Sequence, residues 1–381
     1  MYPDVVVIGG GIVGCSCAYY LSQAGVRVHL VEKGALGSGT SKAGMCHLVT
    51  WHEPEVQLTF ARQGIKLYEE LSRELPVDIE FRKTGALSVA ENPDSIPSIA
   101  GMVMRLQKWG LKCELLSADE IMKMEPNISV HISGGVYYAD DAQVNPLNAT
   151  LALGMGAQEN GATIEPYTEV TGIELSPGRD AVEAVVTSRG RIPTSNVVNA
   201  AGTWGASIAR MVGLDVPITP RRGHLVLTAP LPENMFNNKT IFSAGYLDSV
   251  KGDASIAVSS HIQQLKNGNL LLGSSRQFAG FDTSVDPKVI SMMLQRSIHI
   301  FPFLRDVHAI RTWSGLRPYT PDLRSILGPV EGVQGFFMAC GHEGLGITEG
   351  PITGKLISQL IRGERSEIDI EVLSPDRFAR K

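Results

Sequence analysis

A mixed α/β fold is predicted by three observations: a β-branched run, glycine turn and helical stretch at the N-terminus, a second apolar strand that closes this unit, and a later block of short strands separated by polar turns. The run VVVIG is continuously apolar, IVGCSCAYYLSQ carries helical spacing, Gly25 supplies the helix stop and VRVHLVE is a second strand. Residues 4–34 therefore read as one right-handed βαβ unit of Rossmann type. Gly9, Gly11 and Gly14 spell GxGxxG at the strand-to-helix turn, where Ile12 and Val13 open the helix. Glu32 ends the second strand at the interval, about 20 residues, that the motif requires of a ribose-binding carboxylate. Glycine lets backbone approach a pyrophosphate, and the helix N-terminus supplies aligned N–H groups and positive partial charge. The acid accepts from ribose hydroxyls and disfavours a 2′-phosphate. GxGxxG alone recurs for structural reasons, but strand, helix and carboxylate in this order point to a dinucleotide site.

Further along, residues 55–75 have helical spacing and a second amphipathic stretch runs from Ser98 to Leu111. From Thr163 the pattern becomes short strands, ending in NVVNAAG at 196–202, where Ala201 and Gly202 either admit a nucleotide to the backbone or serve tight packing. Residues 224–277 read as antiparallel sheet, HLVLTAP, SIAVSS and GNLLLGSSR, with KNGN as a turn, and a helix follows from Pro287 to Ile300. Near the C-terminus, ACGHEGLGITEGP leads into a helix whose apolar face is Ile352, Leu356, Ile357, Leu360 and Ile361. Thr348 is placed at its N-cap or first turn and Pro351 near its start. Without repeats, low-complexity tracts or long linkers, two domains are expected to interleave along the chain.

Composition sets the class. The chain of 381 residues is 43% hydrophobic and 19% charged, which suits a globular protein with a sizeable core. With 34 basic against 39 acidic residues, net charge −5 and no dense basic run, nucleic acid is not an expected partner. Glycine interrupts the apolar N-terminus and no basic region precedes it, so it reads as a strand and not a signal peptide. No window reaches the roughly 18 apolar residues of a membrane helix, so a soluble, cytoplasmic protein is expected. Cys15, Cys17, Cys46, Cys113 and Cys340 form no CxxC pair and have no histidine at zinc spacing, so they are expected reduced and metal-free.

Six segments in order carry a family resemblance: GGGIVGCSCAYYL with LVEKG, GSGTSKAG at 37–44, YYADDAQVNP at 137–146, VVNAAGTWG, WSGLRPYTPD at 313–322 and GHEGLGITEGPITG at 341–354. They resemble the D-amino acid oxidase-like family of FAD-dependent amine oxidoreductases, which includes glycine and sarcosine oxidases. Within it, the chain looks most like catalytic β-subunits of heteromeric dehydrogenases acting on proline, hydroxyproline, opines or sarcosine. The resemblance implies a Rossmann-like FAD-binding domain from residues 1–50, 140–215 and 320–381, with an inserted antiparallel-sheet substrate domain from 51–139 and 216–319. It places Lys33 beside the motif acid, Gly39, Thr40 and Ser41 near the phosphates and ribityl chain, Gly44 and Met45 at the flavin ring, and Val170 at the adenine. Ala201, Gly202 and Trp204 join the cofactor site. The late loop, Gly341, His342, Glu343, Gly344, Leu345, Gly346, Ile347 and Thr348, wraps the flavin and aims a helix N-terminus at its pyrimidine edge. Bland roles stand beside these: Met45 and Cys46 as core, His342 and Glu343 as loop residues bonded to backbone; His47 reads equally as a structural histidine or a catalytic one.

On the substrate side the resemblance assigns Arg317 to an amino-acid carboxylate. Tyr246 is either a substrate contact or a half-buried strand tyrosine. The implied reaction is hydride transfer to flavin from the carbon next to an amine, leaving an imine that water hydrolyses. If the amine binds deprotonated no acid/base dyad is required, and the sequence displays none. Such subunits work with an α-subunit and an iron–sulfur (2Fe–2S) subunit and pass electrons to FMN at a subunit boundary. Arg276 and Gln277 stand where some oxygen-using relatives carry a lysine. The rivals are a stand-alone oxidase of glycine, sarcosine or D-amino acids using oxygen, and a non-catalytic nucleotide-binding subunit. A plain NAD-dependent dehydrogenase does not require the two extra glycine segments.

Overall fold

The structure, a computed structural model, describes residues 2–51, 55–232, 234–237, 240–245, 255–366 and 368–378. The N-terminal strand Val5–Ile8 lies inside a sheet ordered Ile326–Pro329, Phe336–Cys340, Val197–Asn199, Val5–Ile8, Val28–Val31, Thr163–Glu165. Its pairs are parallel except the first, which is antiparallel. Val5, Val6 and Val7 are all fully buried, which is why this strand reads as a continuous apolar run and not as an alternation. The helices Ile12–Gln23, Pro146–Glu159 and Gly346–Ile361 pack together on one side of it. A three-stranded sheet, Val170–Leu175, Val182–Thr187 and Gly190–Pro193, and the helix Gly205–Arg210 share the second core with Val6 and Ile8. Gly25, at φ +80°, follows the Ala24 cap of the first helix as its stop.

The helices approach each other through bare backbone. A Cβ on Gly354 would lie 2.4 Å from the carbonyl carbon of Ser16 in the first helix, and one on Gly64 of the helix Glu55–Glu74 would lie 2.0 Å from the Thr348 carbonyl oxygen. Pro351 sits inside the C-terminal helix and not at its start, because that helix begins at Gly346 with Leu345 as cap. A proline there cannot donate to the carbonyl of Ile347. The phenol of buried Tyr68 donates to that oxygen instead, at 2.8 Å, so the helix continues without an orphaned acceptor.

A second, larger sheet runs in the order Ala309–Tyr319, Thr219–Pro230, Asn269–Gln277, Ile256–Gln264, Thr240–Ser243, Ala86–Ala90, Gly134–Tyr138, Cys113–Ser117. The expected antiparallel block forms its centre, but the sheet is mixed: Thr240–Ser243 pairs parallel with Ala86–Ala90. No strand is foreseen from sequence at 86–90, 113–117 or 134–138. Every residue of Ala86–Ala90 is buried, which erases alternation, and Gly134–Tyr138 opens on two glycines. The helix Pro287–Ile300 lies against the strands Ile256–Gln264 and Asn269–Gln277, and the other amphipathic stretch is the helix Ile96–Lys108. WSGLRPY ends the strand at the sheet's edge, the one place where Pro318 costs no ladder bond on its open side. Among the described residues no helix is long and apolar enough to cross a membrane, and no cluster suited to a metal occurs.

One buried acid gives this fold a pH signature. Glu349 is 1% exposed, neither carboxylate oxygen has a hydrogen-bond partner, and burial pushes its carboxyl up to about 8 from an ordinary 4.5. The folded state thus holds a proton that the unfolded state releases, so this stabilising contribution is complete below the unfolded value and is lost as pH rises towards the folded one. Glu349→Gln, which keeps the amide-like neutral shape, should raise the unfolding temperature over the wild type more at about pH 9 than at about pH 5, read by thermal melts at both values. Equal shifts at both would show that Glu349 is not a buried acid.

Candidate active site

A cavity of about 560 Å³ opens where the C-terminal ends of the parallel strands face the edge of the large sheet. The first helix points its N-terminus into it: Gly9, Gly11, Ile12 and Val13 line the wall. Gly9 holds φ +109°, a conformation closed to most side chains, and a Cβ there would strike the Ala200 carbonyl at 2.6 Å. Gly11 differs, since a Cβ built on it meets only the Ser41 hydroxyl, at 3.3 Å, and faces open space. Gly14 does not line the cavity. Its hydrogen lies where a Cβ would come 1.8 Å from the Gly9 carbonyl oxygen, so it serves helix–strand contact.

The expected acid, Glu32, lines the cavity beside Lys33. Its two oxygens accept from the Gly10 and Gly34 amides, each at 2.7 Å, which fixes the carboxylate and leaves further lone pairs for a ribose. The Lys33 ammonium stands 3.9 Å from the centre of the Trp204 ring on the same wall. Gly39, Thr40, Gly44 and Met45 line the next section, and Ser41 among them accepts from the Ile12 amide at 2.9 Å, capping the first helix. Val170 lies at one end, and Ala201 and Gly202 continue the wall. The Thr40 and Thr203 hydroxyls both donate to the Leu316 carbonyl, at 2.7 and 3.0 Å, tying the glycine-rich loop and the AGTWG segment to the edge strand that carries Arg317.

The late loop closes the opposite side with His342, Glu343, Gly344, Leu345, Gly346 and Ile347. Gly341 and Thr348 are not on the wall. Gly341 turns the chain at φ +78°, and the buried Thr348 hydroxyl accepts from the Val49 amide at 3.3 Å. His342 bonds a side chain, not backbone: its Nε2 lies 3.0 Å from the Thr353 hydroxyl, and burial lowers the imidazole to about 4, keeping it neutral. The helix that follows has no side-chain cap, so its N-terminal amides remain for a ligand. Tyr246 lies outside the described residues.

Strand register gathers cations at the far end. Arg221 and Arg317 are direct antiparallel partners and so share one face, next to Arg276 on the neighbouring strand. The Arg317 guanidinium donates to the Ser275 carbonyl at 2.9 Å and occupies the space a Cβ on Gly223 would fill, 2.2 Å from its Nη1. Glu343, at φ +43°, reaches back to Arg276 at 3.4 Å and Arg221 at 3.7 Å. Burial alone would raise its carboxyl, but Arg276, Arg317 and Arg221 hold it below the usual range. Glu343 is thus a carboxylate shared between two of these guanidinium groups.

A second constellation was not legible in the sequence. His47 lines the cavity with its Nε2 at 2.8 Å from Asp141, both side chains buried. Asp141 also accepts from the Thr50 amide at 2.9 Å, the Thr50 hydroxyl and the Trp51 indole at 3.2 Å. The signal was the second aspartate of YYADDAQ, which only tertiary structure pairs with a histidine 94 positions away.

The family model described as FAD dependent oxidoreductase matches residues 4–360. The chain belongs to that family. This FAD-dependent oxidoreductase is 30% identical to hydrogen cyanide synthase subunit HcnC of Pseudomonas aeruginosa, over 98% of its own length and 96% of the relative's. It is 28% identical to glycine oxidase of Geobacillus kaustophilus, over 99% of its own length and 98% of the relative's. Its fold superposes on L-proline dehydrogenase from P. horikoshii with a TM-score of 0.91 at 25% identity, covering 100% of this chain and 98% of that one. The residues fit FAD: the side-chain-free wall at Gly9 and Gly11, the fixed Glu32 carboxylate and two helix N-termini, the second without a side-chain cap, supply what a dinucleotide with a flavin head requires.

Because Gly11 alone of the motif glycines faces open space, Gly11→Asp should fold yet put a side chain and a negative charge on the pyrophosphate path. The purified variant is expected colourless, with an unfolding temperature near that of the apo wild type, checked by visible absorbance and a thermal melt. Yellow protein with full FAD content would remove the motif from the site.

Proposed function

We propose that this oxidoreductase oxidises a secondary-amine amino acid of the opine, proline/hydroxyproline or sarcosine type to an imine, as the catalytic subunit of a heteromeric dehydrogenase. The carrying observation is the cluster of Arg221, Arg276 and Arg317 around the single carboxylate of Glu343 at the cavity's end. A guanidinium on a cavity wall presents a planar fork of donors, and a bidentate carboxylate is its natural match. Arg317 is the residue best disposed to receive it, since its contact with Ser275 and the space left by Gly223 fix its plane on the cavity wall. Two guanidinium groups on the wall, Arg276 and Arg317, can receive two carboxylates, so opine-type amino acids stand first. Bound FAD supplies the two-electron acceptor, and the protein supplies orientation, charge and exclusion of water.

The assignment to a heteromeric enzyme draws support from HcnC, whose name calls it a subunit, and from Arg276 standing where some oxygen-using relatives carry a lysine. On this reading an α-subunit, an iron–sulfur subunit and an FMN at the subunit boundary take the electrons, and residues 1–50, 140–215 and 320–381 form the FAD domain. The likeness to glycine oxidase supports the second reading, a stand-alone oxidase. Rapid peroxide release by the isolated chain would select it.

Two outcomes test the reading. In anaerobic mixing, an N-(carboxymethyl) amino acid should bleach the flavin faster than sarcosine does, while bleaching by no amine would end it. Arg317→Leu should keep its FAD but lose roughly 30-fold or more in kcat/KM on the best carboxylate substrate, since removing one partner of a buried charged pair costs about 2–5 kcal/mol. A decarboxylated analogue should be poor for the wild type and nearly indifferent to the substitution. Full efficiency in the variant would move carboxylate binding elsewhere.

A further inference from the structure

We infer that the His47–Asp141 pair is a proton acceptor for the substrate ammonium, with His47 as the catalytic residue and Asp141 as the residue that positions it. This rests on the amine-oxidising reading above, but not on which amine is used. Asp141 accepts from three donors besides the histidine, so its carboxylate is fixed in place to accept a hydrogen bond from the Nε2–H of His47. That choice of tautomer leaves Nδ1 with its lone pair free to accept. Nδ1 is buried, has no hydrogen-bond partner and belongs to a ring on the cavity wall. A structural histidine buried this deeply would be expected to satisfy both nitrogens.

The surroundings suit one proton and not two. The His261 ring meets His47 edge-on at 5.1 Å, and burial first, then the charges of His47, Arg276 and Arg317, hold His261 well below its ordinary value. The other titratable groups around the ring's elements are Glu343 on the late loop and Glu349, an acid held protonated by burial in the helix packed on the His47–Leu48 strand. Phe242, 6.0 Å from the His47 ring, and Trp51, stacked on Phe242 at 4.8 Å, make that side apolar. Such a wall disfavours a bound ammonium and a charged His47 together.

The step balances simply. One N–H bond of the substrate ammonium breaks, its electron pair staying on the amine nitrogen, and an Nδ1–H bond forms; the imidazolium charge then lies against Asp141. The amine lone pair so released is what expels hydride from the α-carbon.

The test uses the holoenzyme and His47→Asn, with His47→Gln as a second variant and FAD absorbance as the check on folding. Flavin bleaching by an N-(carboxymethyl) amino acid is followed anaerobically across pH. The variant should be about 100-fold slow near neutrality, a typical contribution of a positioned base, with the deficit shrinking as pH rises to the amine's own pKa and free base binds directly. An independent readout is binding of 2-(methylamino)-2-methylpropanoate, which has no α-hydrogen to lose. Calorimetry in buffers of different ionisation enthalpy should find about one proton released per site in the variant and none in the wild type. Asp141→Asn should show the same pH-dependent deficit, as a wrong tautomer would. A deficit constant across pH with proton release unchanged would overturn the proposal and leave His47 structural. Failure of every amine to bleach the wild type would instead overturn amine oxidation itself, a result distinguishable because it precedes any substitution.

Discussion

Contact between backbones without side chains between them is the constraint on which the site depends. Gly14 against the Gly9 carbonyl sets the first helix on the parallel sheet, Gly354 against Ser16 sets the C-terminal helix on the first, and Gly64 against the Thr348 carbonyl sets a third helix on that one. Each approach is shorter than any Cβ permits. Two helix N-termini are thereby brought to one cavity, where their aligned dipoles converge. Loosening any one contact by the width of a methyl group would move a terminus out of line with the ligand it addresses.

The second organising contact is the Leu316 carbonyl, held by the hydroxyls of Thr40 and Thr203. It fixes the edge of the large sheet to the two loops that border the cofactor wall, and Arg317 is the next residue. Charge placement follows from strand register: Arg221 opposite Arg317 would be repulsive on its own, and the left-handed turn at Glu343 brings a compensating carboxylate from the other side of the cavity. Arg276 and Arg317 both line the pocket, so its wall presents guanidinium donors.

What was legible in the sequence was local. The strand–GxGxxG–helix unit with Glu32 could be read because each glycine answers a demand made by residues a few positions away, and the helix Pro287–Ile300 because its apolar stripe is unbroken. The strands Ala86–Ala90 and Gly134–Tyr138 were not, because burial on both faces and glycine content erase the alternation that marks a strand. Pro351 was misplaced for a related reason. Its acceptability inside a helix is conferred by Tyr68, which lies 279 positions from the carbonyl it serves. His47 and Asp141 fall in the same class, since neither shows its partner until the sheet Ala142–Gln143 forms beside His47–Leu48. Most residues that the resemblance assigns to the cofactor line the cavity, whereas Gly14, Gly341 and Thr348 do not.

The phenol of Tyr68 and the ring of Pro351 amount to one structural unit written in two places. While the proline stands, the hydroxyl is indispensable, because without it a carbonyl buried in the first turn of the C-terminal helix has no donor. Once the proline gives way to a residue with an amide hydrogen, the hydroxyl becomes redundant and the tyrosine is free to drift to phenylalanine. The order of the two changes is therefore not symmetric: descent can pass through loss of the proline first, whereas loss of the hydroxyl first leads through a destabilised ancestor.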